Sequence, residues 1–344
     1  MMRSYLLFAT QLYAFSILRP LQKAIRQRGD DAAWFVVGPL ASYLKPDERL
    51  LETVADVKEY NPEAVFVAGN VVPDFFPGIK IEVFHGFHVH KRSSDRGHYR
   101  IRGFFDLYCT QGPDTTRYFQ QLAEKHRFFR VVETGWPKMD PLFGKTFIRR
   151  SRRRPVILFA STFTPRLSAA MPLEKTIRTL AGSDQWRWIV HFHPKMDRAV
   201  VDRYRAMQNE NLTFIETDDT IPLLQQADVI VSDTSSIIPE FCLCQKPAVT
   251  FRNRRPGPHL LNITDPSDLR SAIEQALSKP PALMTAIQEY TEHIHPYRDG
   301  RSSVRVLKAT DQFIARGRQG LARKPLNLLR RLKVRKMVGY YRWH

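Results

Sequence analysis

A chain of 344 residues carrying 53 Lys and Arg against 34 Asp and Glu has a formal net charge of +19. Its 43% hydrophobic and 25% charged residues are ordinary for a globular protein, which excludes wholesale disorder, and the length suits two domains. Three cysteines, Cys109, Cys242 and Cys244, make neither a disulfide framework nor a zinc-ligand spacing and fit a reducing cytoplasm.

Residues 5–10 read as a strand and 12–28 as an amphipathic helix. This apolar start lacks the length and flanks of a signal peptide or a membrane span. Strand patterns recur at 33–37, 64–68, 80–84, 106–110 and 129–134, with helical patterns at 48–60 and 114–125. Glycines close several strands, as at Gly38, Gly69 and Gly86. The alternation means a parallel α/β sheet. A basic knot, residues 149–154, reads as a linker. The pattern then restarts, with strands at 156–160, 188–193, 212–215, 229–231 and 248–251 and helices near 173–180, 198–208, 221–226 and 266–277. Two successive doubly wound α/β domains predict a cleft, with ligands outside the carboxyl ends of the strands. No repeat or low-complexity segment is present.

The charge is uneven. From Arg316 to His344 there are ten Lys or Arg and no Asp or Glu. Such charge suits nucleic acid, anionic lipid or a polyanionic substrate. Because the tail interleaves its cations with Leu, Val, Met and aromatics, a membrane-surface helix is the expected form. The plainer alternative is a solvated helix packed on the second domain.

Chemistry concentrates at strand ends. After 229–231 comes Ser232-Asp233-Thr234-Ser235-Ser236, four hydroxyls around one carboxylate, followed by a helical pattern that includes Glu240. Hydroxyls at a strand-to-helix turn suit an anion, although one of them could simply cap the helix. His85-Gly86-Phe87-His88-Val89-His90-Lys91 and His191-Phe192-His193 follow two other strands. A strand-end histidine can take a proton from a hydroxyl or donate to a phosphate. The H-x-H spacing also admits a metal, but carboxylates nearby are few, and no metal is expected. Dinucleotide, Walker, zinc-protease and α/β-hydrolase motifs are missing, which leaves phosphate or nucleotide-diphosphate handling.

His85-Gly86 with Lys91, Gly135-x-Pro137-Lys138-x-Asp140, Ala160-x-Thr162, His193-Pro194, Asp228-x-x-x-Ser232-Asp233-x-Ser235-Ser236, Lys246-Pro247 and Asp299-Gly300-x-Ser302 occur in that order. Together they resemble the CDP-glycerol glycerophosphotransferase family of teichoic-acid polymerases and primases, over roughly residues 6–307. The resemblance implies two Rossmann-like domains facing across a cleft, the GT-B arrangement. Residues 1–148 would supply the acceptor side and the base, residues 155–312 would bind the CDP donor, and residues 313–344 would form the basic tail. By the same resemblance His85 is the base and His193 meets the diphosphate. Gly86, Lys91, Thr162, Ser232, Asp233, Thr234, Ser235, Ser236, Glu240 and Arg301 are the implied substrate contacts. The chain departs from the family in having Thr234 before the serine pair, Glu240 after it, and Ser161-Thr162-Phe163 after the first strand of the second domain.

The function these residues imply is transfer of glycerol phosphate, or a related polyol phosphate, from a CDP donor to a hydroxyl, with release of CMP. The acceptor would be a cell-surface polymer or glycolipid precursor, as in teichoic acid, capsule or lipopolysaccharide assembly. No cofactor is implied. The expected location is the cytoplasm, peripheral on the inner membrane face. A nucleotide-sugar glycosyltransferase of the same fold is the alternative, and a non-catalytic nucleic-acid or membrane binder the third reading.

Overall fold

The computed structural model describes residues 2–87, 99–144 and 154–341. His88, His90, Lys91 and most of the basic knot lie outside the described residues. The chain forms two compact units, one from residues 2–86, 99–144 and 295–341, the other from residue 87 and residues 154–294.

Unit 1 is built on seven strands: β1 (Ser4–Ala9), β2 (Asp31–Val36), β3 (Arg49–Leu50), β4 (Ala64–Val67), β5 (Ile79–Glu82), β6 (Leu107–Thr110) and β7 (Arg130–Glu133). They run parallel in the order β3-β2-β1-β4-β5-β6-β7. Unit 2 has six: β8 (Val156–Ser161), β9 (Arg187–Phe192), β10 (Leu212–Phe214), β11 (Val229–Ser232), β12 (Ala248–Phe251) and β13 (Leu261–Ile263). Their order is β10-β9-β8-β11-β12-β13, again parallel. Both sheets are therefore Rossmann-like, with the order reversing at β1/β4 and at β8/β11, the switch points where such sheets bind ligands. The central strands are buried along their whole length, as in β8, which is why they read as continuous apolar runs.

One predicted element changes kind. The helix expected from residue 48 begins only at Val54, because Arg49 and Leu50 pair with β2. Thr53 then sets the start with a capping box: its hydroxyl accepts from Asp56 N, and the Asp56 carboxylate accepts from Thr53 N. The strand β13 and the helices Pro281–Ile294 and Ser302–Arg316 are additional to the sequence reading.

The domain limits also shift. The second domain, expected to run to residue 312, ends in the structure at Ile294, and the chain returns to unit 1. A joint between distant motifs explains the return. The buried Asp140 carboxylate accepts from Ser302 N and Ser303 N, both at 2.7 Å, and so caps the helix Ser302–Arg316. Gly135, at φ +78°, abuts that cap so closely that a Cβ would lie 2.5 Å from Ser302 Oγ.

The basic tail packs on unit 1, not on the second domain. Buried Asp106 accepts from Lys324 Nζ at 2.7 Å and pairs with Arg318, while Lys80 N also donates to it. Val334 and Arg335 are buried, the Arg335 guanidinium lying 4.5 Å from the centre of the Phe75 ring. Among the described residues no helix is long and apolar enough to cross a membrane.

Candidate functional site

In unit 2 the five-residue turn after β11 divides into an inner and an outer part. Ser232, Asp233 and Thr234 are buried, whereas Ser235 and Ser236 are partly exposed. The Asp233 carboxylate gathers donors from across the switch point: Ser161 Oγ at 2.6 Å, Thr162 N at 3.0 Å and Ala169 N at 3.0 Å. The Ser232 hydroxyl donates to the Ala160 carbonyl at 2.6 Å. Thr234 Oγ1 accepts from Arg254 N, and Asn253 Nδ2 donates to the Asp233 carbonyl. A carboxylate taken out of water needs this many donors to remain charged. The inner residues thus tie β11 to the loop after β8, and the tie holds the two outer hydroxyls at the carboxyl edge of the sheet. Glu240 is buried on the following helix and accepts from the Thr220 hydroxyl at 3.5 Å.

His193 follows β9 at the same edge and is exposed. Its Nδ1 accepts from Lys195 N at 3.0 Å, and its ring lies 4.7 Å from that of Phe163. An Nδ1 that accepts leaves Nε2 as the protonated nitrogen of the neutral ring, a donor suited to a phosphate oxygen. Its neighbour His191 is turned inward, buried, with Nδ1 3.0 Å from the Ile215 carbonyl. An open cavity of about 840 Å³ in this unit lies beside the amino ends of β8 and β9, lined by Arg154, Asp184, Arg187 and Asn211, so it is remote from the turn.

In unit 1 the corresponding feature is the end of β5. His85 is exposed there, its ring 5.4 Å from that of Tyr13, while Gly86 is buried. The residue before it, Phe84, has φ +61°, a left-handed conformation that is strained for a bulky side chain and costs roughly 1–3 kcal/mol. Three contacts hold it. The Phe84 ring is buried edge-on against Phe119, its carbonyl accepts from Trp136 Nε1 at 3.2 Å, and the Gly86 carbonyl accepts from Gln111 Nε2 at 2.8 Å. His85 is therefore presented outward on a turn clamped at both flanking carbonyls. No sequence pattern signals this, since a Phe in the left-handed region leaves no motif.

Beneath the turn lies Glu82, the last residue of β5, which is buried. Burial pushes its carboxyl up to about 8, the Arg102 guanidinium only partly opposing. Tyr13 is pushed up to about 12 by burial and by Glu82, and Arg102 donates to Asn70 Oδ1 at 2.7 Å. Glu82 was not among the residues expected at the site, its only signal being a carboxylate between the apolar Ile81 and Val83.

Arg301, expected at the diphosphate, belongs to unit 1, where it is exposed at the start of the helix Ser302–Arg316 and its N–H donates to Asp299. Lys91 lies outside the described residues. Among the described residues no group of three or more His, Cys, Asp or Glu side chains is placed to hold a metal. All three cysteines are free, and burial raises their thiols well above the ordinary range.

Comparison with known proteins follows the fold. No curated protein matches the chain in sequence. The wall teichoic acid polymerase TagF is similar in structure, with a TM-score of 0.69 at 13% identity, covering 91% of this chain and 89% of that one. MnaA of S. aureus, solved with UDP, has a TM-score of 0.65 at 16% identity and covers 94% and 99% of the two chains. The UDP-GlcNAc 2-epimerase of Neisseria meningitidis, bound to UDP-GlcNAc, has a TM-score of 0.61 at 13% identity, covering 90% and 100%. At these identities the likeness establishes the GT-B type of fold, two Rossmann-like parallel-sheet domains, and no more. The family model that matches, over residues 122–311, is that of UDP-N-acetylglucosamine 2-epimerase rather than of the glycerophosphotransferases whose motifs the chain resembles. With more than half of its length matched, the chain belongs to the UDP-N-acetylglucosamine 2-epimerase family.

Proposed function

We propose that the protein is a transferase that moves glycerol phosphate, or a related polyol phosphate, from a CDP-activated donor to a hydroxyl of a cell-surface polymer or glycolipid precursor. The observation that carries this reading is the turn after β11, where a satisfied buried Asp233 holds Ser235 and Ser236 at the sheet's switch point. Hydroxyls fixed in advance bind a diphosphate without first being ordered. The ordered motif set and the likeness to a teichoic acid polymerase over most of both chains support a polyol phosphate as the group transferred.

In the reaction the acceptor oxygen attacks the β-phosphorus of the donor. The bond from that phosphorus to the bridging oxygen breaks, and CMP leaves with the electron pair. His85 takes the acceptor's proton, which only the neutral imidazole can do. His193 Nε2–H, Ser235 and Ser236 would meet the charge that develops on the leaving nucleotide, the chief need of phosphoryl transfer. Lys91 and Arg301 remain proposed anion contacts. Thr162, Ser232, Asp233, Thr234 and Glu240 serve the donor site through the shape of the turn and the elements around it. The same reading puts the enzyme in the cytoplasm on the inner membrane face, where a lipid-linked acceptor is met.

Membership of the epimerase family favours a second reading, chemistry on a UDP-linked sugar. Product analysis separates the two. The purified protein is incubated with CDP-glycerol, CDP-ribitol or UDP-N-acetylglucosamine, with and without a membrane fraction as acceptor, and the nucleotides are resolved by chromatography. The proposal expects acceptor-dependent CMP from a CDP-polyol. Release of UDP, or an epimeric UDP-sugar, with no CMP would replace it by the second reading.

A further inference from the structure

The tail helix Leu328–Met337 has two unlike faces. Val334 and Arg335 turn inward and are buried. By helical spacing Leu329, Leu332, Lys333 and Lys336 share an arc turned away from Val334, with Leu328 at its border. The leucines there are open to solvent: Leu328 is 55% exposed, Leu329 77% and Leu332 47%, with Leu326 just before the helix at 72%. Scattered exposed leucines are common, but four within residues 326–332 make a patch that calls for a partner. Lys333, Lys336 and Arg323 are exposed beside it. No Asp or Glu occurs from residue 312 to the end of the chain. The carboxylates that meet the tail, Asp74 and Asp106, are engaged with Arg331 and with Arg318 and Lys324.

The patch is held in place. Arg335 lies over Phe75, Phe75 packs on Tyr340 at 4.7 Å between ring centres, and Lys58 Nζ donates to the Tyr340 hydroxyl at 2.8 Å. The segment leading into the helix closes over Gly103, at φ +78°, where a Cβ would lie 2.6 Å from Pro325 Cγ. The leucines are thus presented by a docked helix, and binding need not first fold it.

We propose that this face docks unit 1 on an anionic lipid bilayer, the leucines entering the headgroup boundary and Arg323, Lys333 and Lys336 meeting lipid phosphates. The charge selects this occupant. A second copy of the chain would bring the same cations against these, and a nucleic-acid backbone would pair the cations but leave the leucines in water. A bilayer with acidic headgroups satisfies both. The inference holds whichever nucleotide-linked donor the enzyme takes.

The test is co-sedimentation of the full-length chain with phosphatidylcholine vesicles, with and without phosphatidylglycerol. The wild type should pellet with the acidic vesicles and be released as salt rises. Leu329→Asp/Leu332→Asp should weaken that binding by about tenfold or more. Lys333→Gln/Lys336→Gln should weaken it roughly fivefold per charge removed. Both pairs are exposed, so melting should be unchanged; if the aspartates lower it, Leu329→Ser/Leu332→Ser is read in their place. Wild-type binding retained by the leucine variants would overturn the proposal. So would a wild-type dimer, seen by sedimentation velocity, that the leucine variants abolish, since the patch would then be a self-interface.

Discussion

The two units carry a carboxylate at the same kind of place, the carboxyl end of a central parallel strand, and treat it in opposite ways. Asp233, after β11, accepts from one hydroxyl and two backbone amides, the donors that a carboxylate taken out of water requires. Glu82, at the end of β5, is also buried but lacks that set of donors among the described residues, and its carboxyl is pushed up to about 8. The first is met by converging donors, while burial favours the protonated form of the second. The difference teaches what each strand end suits. Donors converging on Asp233 make a rigid turn that can aim Ser235 and Ser236, whereas the end of β5 is apolar, strained at Phe84, and carries an exposed imidazole. In the proposed reaction the first end fixes an anion and the second exchanges a proton.

The largest effect expected from breaking this comparison is on the proton-exchanging end. His85→Ala should lower CMP release from CDP-glycerol by roughly 10²–10⁴ while donor affinity stays nearly intact, the signature of a group used only in the transition state. Steady-state rates alongside calorimetric affinity measure the split, and near-normal turnover would make His85 a structural strand-end residue.

Next in size is the anion-fixing end. Asp233→Ala leaves the buried Thr162 amide without its carboxylate acceptor and takes one of the partners of the Ala169 amide and the Ser161 hydroxyl, at a cost of about 2–4 kcal/mol. Denaturant unfolding measures it. A loss below about 1 kcal/mol would mean that the turn is ordered by other contacts.

Glu82→Gln sharpens the contrast with a smaller effect that depends on pH. The folded carboxyl is raised from 4.5 to about 8, so between those values the folded protein holds a proton that the unfolded chain has released. Wild-type stability should therefore fall as pH rises through this window, by about 1.4 kcal/mol per unit, and the glutamine variant should lack that slope. His259 and His295, pushed down to about 4 by burial, and Lys80, pushed down to about 8, titrate alike in both proteins and cancel in the difference. Parallel stability curves for the two proteins would show that Glu82 is ionised, and the comparison would fail.

Much of this was legible in the sequence, for a physical reason. Strands buried on both faces leave continuous apolar runs, so β1, β4, β8 and β11 were found within a residue or two, and the residues at their carboxyl ends could be picked out. Arg49 and Leu50 were not legible as a strand, because two residues carry no periodicity and only pairing with β2 defines them. The motifs at 135–140 and 299–302 were seen, but not that Asp140 caps the helix after Arg301 and draws the chain back to unit 1. Hydrogen bonds between distant segments leave no local pattern. For the same reason the division of the turn after β11 into buried Asp233 and half-open Ser235 and Ser236 became visible only once β8 lay beside it.

The central claim is that the outer hydroxyls of that turn hold a nucleotide diphosphate while the inner ones hold the turn. Titration calorimetry of CDP into the wild type and into Ser235→Ala/Ser236→Ala, with melting curves for both, tests it most directly. Affinity should fall by roughly tenfold or more, about 1–3 kcal/mol per lost phosphate contact, with melting nearly unchanged. Unchanged CDP affinity in the double variant would contradict it and leave the turn as a helix cap alone.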